Sequence, residues 1–282
     1  MTFNPTPADS RLYQQLPDGL VLRQAVPQDA AALSAFNARV HSDHGPEQPD
    51  EFVAAWTGDL MDGRHPTCSA GDFTLVEDPQ RGEIVSSMNL ISQTWSYAGI
   101  PFKVGRPELV GTHADYRNRG LVRRQFEVIH QWSAARGELV QAITGIPYYY
   151  RQFGYEMALN LGGGRMGYSP HLPRLEEGQA EPFLIRPAGE ADLAFIAEVY
   201  AHGCRRSLVA CLRDEAEWRH ELSGHSERSV NRSALAIIET PQGERLGFLA
   251  TPRMLWGANI AVNRYELKPG ASWLEVTPSV IR

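Results

Sequence analysis

Residues 108–155 read ELVGTHADYRNRGLVRRQFEVIHQWSAARGELVQAITGIPYYYRQFGY, and this stretch decides the fold. Glu108 to Thr112 reads as a strand. A polar turn, Ala114-Asp115-Tyr116, leads into Arg117-Asn118-Arg119-Gly120-Leu121-Val122. A helix is expected to follow at once, because Val122, Phe126, Ile129 and Trp132 fall at spacings of three and four on one face. Leu139 to Ile143 reads as another strand. A strand, a basic glycine turn and a helix N-terminus make an anion site from backbone alone. The first turn of a helix has unpaired N–H groups and carries the positive end of the dipole. Arg117 and Arg119 add fixed positive charge, and Gly120 removes a side chain where a phosphate oxygen needs close approach.

Arg117-x-x-Gly120-x-Val122 resembles the acyl-CoA pyrophosphate loop of the GNAT N-acetyltransferase superfamily, which runs Arg or Gln, x, x, Gly, x, then Gly or Ala. Leu109-Val110-Gly111-Thr112 resembles that family's fourth strand. Pro147 to Tyr155, PYYYRQFGY, resembles its "Tyr, x, x, apolar, Gly, aromatic" segment. The three segments stand in the family's order and at its separations. The departure is Val122, where the family carries a small residue, which implies a slightly wider loop. The resemblance implies an α/β fold with a mixed, mostly antiparallel sheet flanked by helices, and acetyl-CoA as co-substrate. It covers almost all of residues 20–168.

Length and composition set bounds. At 282 residues and 43% apolar, the chain suits one large or two medium domains with substantial cores. A net charge of −6 and a pI near 5.9 argue against a duplex-DNA binder, which usually shows a strongly basic face. Cys68, Cys204 and Cys211 are too few and too scattered for a disulfide framework or a metal site, and fit a reducing cytoplasm. No apolar run reaches the roughly 20 residues that span a bilayer, and the first residues hold no apolar signal core. Self-association into a homo-oligomer is left open.

Along the chain, residues 1–19 read as a polar lead-in. Val21 to Val26 reads as a strand, followed by a helix with Asp29 as N-cap and Leu33, Phe36, Asn37 and Val40 on successive turns. A second helix is expected over Asp50 to Met61, with Phe52, Val53, Trp56 and Leu60 inward. Phe73–Glu77 and Glu83–Thr94 form a hairpin whose turn leaves room for a bulge. Ser86 to Ser92 alternates only in part, so one face is expected to line a cleft. Trp95 to Gly105 reads as a loop or further strand pieces. After Tyr155 a strand is expected to about Leu161. Residues 162–167, GGGRMG, match G-x-G-x-x-G by letter, but Tyr168-Ser169-Pro170 is a poor helix start, so a turn is expected there. Residues 169–182 read as a linker.

Residues 183–282 then repeat the beginning. Leu22-Arg23-x-Ala25-x-x-x-Asp29 aligns without a gap with Ile185-Arg186-x-Ala188-x-x-x-Asp192, and Leu33 and Phe36 match Ile196 and Val199. This points to a second, partial copy of the same domain type rather than a solenoid. It continues with a helix over Asp214 to Leu222, and strands at Ala234–Glu239, Leu246–Ala250, Ile260–Leu267 and Trp273–Val276. It reaches Arg282 before a second Arg-x-x-Gly loop, so it reads either as a degenerate half-domain or as part of a longer protein. The tandem layout is similar, more remotely, to Eis-type acetyltransferases that modify aminoglycosides or lysines.

Acetyl transfer from a thioester to an amine needs the cofactor held, the carbonyl polarised, the amine deprotonated and the thiolate protonated. The resemblance gives cofactor binding to Val110, Gly111 and Thr112, as a splayed strand edge with an oxyanion donor, and to Arg117, Asn118, Arg119, Gly120, Leu121 and Val122. It gives the general acid to Tyr150, four residues before Gly154, since a phenol is protonated at neutral pH. Tyr148 and Tyr149 compete, and one tyrosine of the three is expected to be packing. Glu108 is the candidate base, acting directly or through water, and His113 is its rival. His41, Asp43, His44, Asp50 and Glu51 cluster where the family forms its acceptor pocket; a plain hydrophilic loop is the other reading. The expected function is acetyl transfer from acetyl-CoA to a primary amine of a small molecule or a lysine, in a ternary complex. Two alternatives stay open: a CoA-binding regulatory or assembly module of the same fold, and a different acyl group.

Overall fold

The computed structural model describes residues 13–146, 148–160, 169–253 and 261–282. Most of the lead-in, Pro147, the glycine letters at 162–167 and the start of the strand expected at Ile260 lie outside these residues. The chain forms two units, one of Met1–Thr94, Phe102–Met157 and Ser226–Val230, the other of Trp95–Pro101, Ala158–His225 and Asn231–Arg282.

The first unit is built from β1 (Tyr13–Gln15), β2 (Val21–Gln24), α1 (Ala30–Val40), α2 (Glu51–Met61), β3 (Phe73–Asp78), β4 (Glu83–Tyr97), β5 (Ile100–Thr112), α3 (Leu121–Ala135) and β6 (Val140–Gln141). Its sheet runs β1-β2-β3-β4-β5-β6. The printed pairs from β1 to β4 are antiparallel, and β5–β6 is parallel. Side-chain alternation along β3 divides the core. Phe73 and Leu75 pack with Leu33, Leu60 and Met61 of α1 and α2. Val76 packs on the other face with Leu121 and Val128 of α3, and buried Thr74 donates to Gln125 of α3 at 3.0 Å. Phe126 and Ile129 are the buried centre of the α3 seam, with Val122 and Trp132 at its margins. The register shift between Val76 and Glu77 is the bulge for which the hairpin turn left room.

Several expectations change. Asp50 caps α2, accepting from the Phe52 and Val53 N–H groups at 2.8 and 3.1 Å. Asp29 makes no such cap to α1; its carboxylate accepts from Val26 N–H at 2.8 Å and from both terminal nitrogens of Arg23. Phe52 lies 39% exposed, because the inward face of α2 runs through Thr57, Leu60 and Met61. Ser86 to Ile91 is buried on both faces, so it lines no cleft. Trp95 to Gly105 is a β4–β5 hairpin, closed by Ala98 and Gly99 at φ 50° and 82°, the paired left-handed residues of a tight primed turn. The strand at 139–143 shrinks to Val140–Gln141, and no strand occurs in residues 155–160.

The second unit holds β7 (Leu184–Pro187), α4 (Leu193–Cys204), β8 (Val209–Leu212), α5 (Glu215–Arg219), β9 (Ser233–Glu239), β10 (Arg245–Pro252), β11 (Arg264–Leu267) and α6 (Trp273–Ile281). Its four-stranded sheet runs β11-β10-β9-β7, antiparallel throughout. Trp273 to Val276 is helix rather than strand, since the Ser272 hydroxyl accepts from Glu275 N–H at 3.3 Å and starts a turn. The beginnings of the two units use one constellation. Arg23 joins Asp29 and Glu77; Arg186 joins Asp192 and Glu239. Ala25 N–H donates to Phe73 and Ala188 N–H to Leu235, both at 2.9 Å.

Candidate active site

The site begins with a defect in β5. Leu109 sits at φ 51°, a left-handed conformation uncommon for a bulky side chain. Among the described residues β5 pairs with β6 at Val104 and Gly105, well before this point. Val110, Gly111 and Thr112 then line a cleft as three consecutive residues, as an open strand edge would and a single face would not. Gly111 is where α1 comes closest. A Cβ there would lie 2.5 Å from Val40 Cγ1 and 3.3 Å from His41 Nε2.

The turn into α3 forms the next wall. Asn118 and Gly120 are both left-handed, at φ 62° and 74°. The first helical bond of α3 runs from Arg124 N–H to Gly120 at 3.1 Å, and no side chain caps the helix. The N–H groups of Leu121, Val122 and Arg123 therefore have no acceptor within the helix. A Cβ at Gly120 would meet open space, so this cradle stays clear of side chains. Buried Tyr116 anchors the turn by donating to Asp78 at 2.6 Å. Arg119 lies over the Tyr116 ring at 4.7 Å, with Asp18 3.7 Å away.

The tyrosine segment closes the third side through a short 3-10 turn, Tyr150–Phe153, ended by left-handed Gly154. Tyr150 is fixed edge-on against Tyr149, Phe126 and Tyr155 at centroid distances of 5.0, 6.1 and 6.1 Å. Burial, reinforced by Tyr149 and Glu108, pushes the Tyr150 phenol up to about 12. Tyr155 is packing, its hydroxyl donating to Gln141. Tyr148 lies 76% exposed under Arg151, outside the cleft.

These walls enclose a cleft of about 670 Å³. Of the residues singled out in the sequence, it brings together Val110, Gly111, Thr112, Arg117, Asn118, Gly120, Leu121, Val122 and Tyr150. Arg119 is not among them, being drawn to Tyr116. Glu108 is not either. It is mostly buried beside Arg106, and burial pushes its carboxyl up while Arg106 opposes the shift. His113 stacks edge-on against Tyr116 at 5.8 Å, also off the cleft. The acceptor-loop cluster separates: Asp43 and His44 are exposed, Asp50 caps α2, Glu51 pairs with Arg228, and His41 alone lines the cleft. Sequence reasoning missed Tyr149 as a wall and Arg123 as a second cation. Arg123 donates to Gln152 at 2.9 Å and lies over Phe153. Arg123 stands in the first turn of α3, whose N-terminus the sequence already marked as the anion site, a signal that could have found it. Among the described residues the lining thus holds two guanidinium groups, free helix N–H groups and no carboxylate, a composition that fits a diphosphate.

The family model of the GNAT acetyltransferase domain matches residues 28–158, the segment that builds this cleft. Residues 28–158 are a GNAT acetyltransferase domain. Solved structures of the same fold extend the likeness beyond this domain. A conserved Enterococcus faecalis V583 protein, named a probable N-acyltransferase, is 12% identical with a TM-score of 0.65, over 93% of this chain and 62% of its own. A GCN5-related N-acetyltransferase from Kribbella flavida is 15% identical with a TM-score of 0.56, over 93% and 59%. Saccharomyces cerevisiae N-myristoyltransferase with bound myristoyl-CoA is 12% identical with a TM-score of 0.61, over 89% and 61%. The chain thus spans about three fifths of the length of these structures. No curated protein matches it. The GNAT fold supports acyl transfer from a CoA-type donor. Among the described residues, no group of three or more His, Cys, Asp or Glu side chains could hold a metal ion, and no helix is long and apolar enough to cross a membrane.

Proposed function

We propose that this chain transfers an acetyl group from acetyl-CoA to a primary amine of a small molecule or a lysine. The observation that carries the reading is that an uncapped helix N-terminus, an open strand edge and a half-buried, protonated phenol meet in one cleft. The residues divide the work. The N–H groups of Leu121, Val122 and Arg123, with Arg117 and Arg123, hold the diphosphate. The edge at Val110–Thr112 pairs with the pantetheine arm, and one of its N–H groups polarises the thioester carbonyl, an effect worth about 3 kcal/mol per donor in comparable sites.

Tyr150 supplies the proton to the departing sulfur. With its phenol near 12, Tyr150 is fully protonated at neutral pH. Full transfer to a thiolate of ordinary basicity is uphill. Donation is therefore coupled to carbon–sulfur cleavage and to recovery of a proton from the attacking nitrogen, which leaves Tyr150 neutral at the end of each turnover.

Thiol release from acetyl-CoA across a panel of alkylamines, polyamines and lysine peptides tests the reading. Tyr150→Phe should lower turnover about 100-fold or more, with little change in acetyl-CoA affinity. Binding of acetyl-CoA without release on any amine would favour a non-catalytic CoA module. Faster release from a longer acyl-CoA would reassign the donor.

A further inference from the structure

His41 follows the last residue of α1 and lines the cleft from the side opposite the α3 turn in sequence, yet it takes no part in the roles above. One ring nitrogen donates to the main-chain carbonyl of Leu109, the left-handed residue of β5. The other, Nε2, is buried and has no hydrogen-bond partner among the described residues. The tautomer follows: a ring that gives its Nδ1 proton to a carbonyl keeps its lone pair on Nε2. That lone pair lies beside Gly111, where a Cβ would come within 3.3 Å of it, at the strand edge proposed to present the thioester. A buried acceptor left unpaired is costly, which favours a ligand donor arriving there. Among the described residues no carboxylate lines the cleft to compete, and Glu108 is engaged with Arg106.

We propose that His41 is the general base of the acyl transfer, its Nε2 receiving a proton from an acceptor that enters as an ammonium ion. This rests on the acetyltransferase reading. The protons balance. The ammonium gives one proton to Nε2, and the freed nitrogen lone pair forms the bond to the acyl carbon. The carbon–sulfur bond breaks with its electron pair on sulfur, which takes the Tyr150 proton. A second proton from the acylated nitrogen restores Tyr150, and His41 returns the first to solvent. Burial, the larger influence, holds His41 below its ordinary value, with the Leu109 carbonyl opposing. Its charged or titratable surroundings are Arg117, Arg123, Tyr116, Tyr149 and Tyr150 on the cleft, Arg39, Asp43 and His44 on its own segment, and Asp50 and Glu51 at the start of α2. Burial is larger than any effect of these, so the imidazole is neutral at neutral pH and free to accept a proton, though a weaker base than a solvated histidine.

Two measurements test this. In the free protein, nitrogen NMR of labelled histidine should show His41 with Nδ1 protonated and Nε2 bare; a protonated Nε2 would overturn the proposal without touching the acetyltransferase reading. Kinetically, His41→Asn retains a donor towards Leu109 and removes the base. With acetyl-CoA and n-butylamine its kcat should fall about 100-fold, and the loss of rate that wild type shows as pH drops below its ordinary histidine range should vanish. With aniline, already neutral at pH 7, the two proteins should differ by less than about threefold. His41→Gln is the second variant, with acetyl-CoA binding as the check that the cleft is intact. An unchanged pH profile in a variant that binds acetyl-CoA would overturn the base alone. Failure of wild type to bind acetyl-CoA would overturn the acetyltransferase reading, and this proposal with it.

Discussion

Tyr150 shows how packing sets chemistry at one residue. Three aromatic rings and a buried carboxyl surround a phenol, and each favours its neutral form. The sign is simple: an acid must be protonated to act, and a raised value keeps it protonated to higher pH. Turnover at saturating acetyl-CoA and amine should therefore stay flat through pH 10 in wild type. A decline centred near 10 that disappears in Tyr150→Phe would mean an ordinary, solvated tyrosine. The places of Tyr150 and Gly120 on the cleft were legible in the sequence because their signals are local: a glycine before a helix and a tyrosine four residues ahead of another glycine. Glu108 and His41 were legible only in part: Glu108 was expected at the cleft and lies off it, and His41 was expected there only as one of a loop cluster. Their fates depend on Arg106, on the twist at Leu109 and on the approach of α1 to β5, all contacts between distant segments. Arg119 misled because its neighbour Tyr116 offers a ring that the turn brings within 4.7 Å.

At the scale of elements, the end of α1 packs tightly on β5 at one small residue of the cleft wall. Gly111 has no space for a methyl group: the nearest atom is on the short, stiff side chain of Val40. Gly111→Ala should destabilise the protein by about 1–3 kcal/mol and weaken acetyl-CoA binding, and Val40→Ala in the same chain should recover part of both losses. Full stability of the single variant, read by chemical denaturation, would show that α1 moves aside at no cost. The helices α1, α2 and α3, and β2 to β5, were legible from apolar period, as were β7, α4, β9 and β10 of the second unit, whereas β8 was missed. The hairpin at Trp95–Gly105 was less so, because a turn through Ala98 lacks the Asn-Gly signal. The final helix was misread as a strand because Pro278 and the β-branched Val276 and Val280 mask its Ser272 cap.

For the whole molecule, we propose that residues 183–282 are a second copy of the first domain's beginning, as the matched arginine–aspartate constellations support. Its core rests on a different device. Glu221 is buried between Arg213 and Arg264 at 2.6 and 3.2 Å, next to buried Trp218. Burial alone would push this carboxyl up, but the two guanidinium groups outweigh it and hold it at about 2, against an ordinary 4.5. A depressed value stabilises the folded state above the ordinary value, and that stability is lost as pH falls through about 2. Glu221→Gln should cost about 3 kcal/mol at neutral pH, since it strands two half-buried arginines, and should flatten the fall in stability between pH 4.5 and 2. An unchanged acid-unfolding curve would assign that fall to other carboxylates.

The uncapped start of α3 is where the proposed function places the diphosphate. Calorimetric titration of acetyl-CoA into wild type, Gly120→Ala and Gly120→Glu tests this placement most directly. Both substitutions carry the strain of a left-handed residue, about 1 kcal/mol, but only glutamate puts a carboxylate beside the diphosphate. The expected result is one acetyl-CoA per chain for wild type, modestly weaker binding for Gly120→Ala and none for Gly120→Glu. Undiminished binding by Gly120→Glu, or none by wild type, would contradict it.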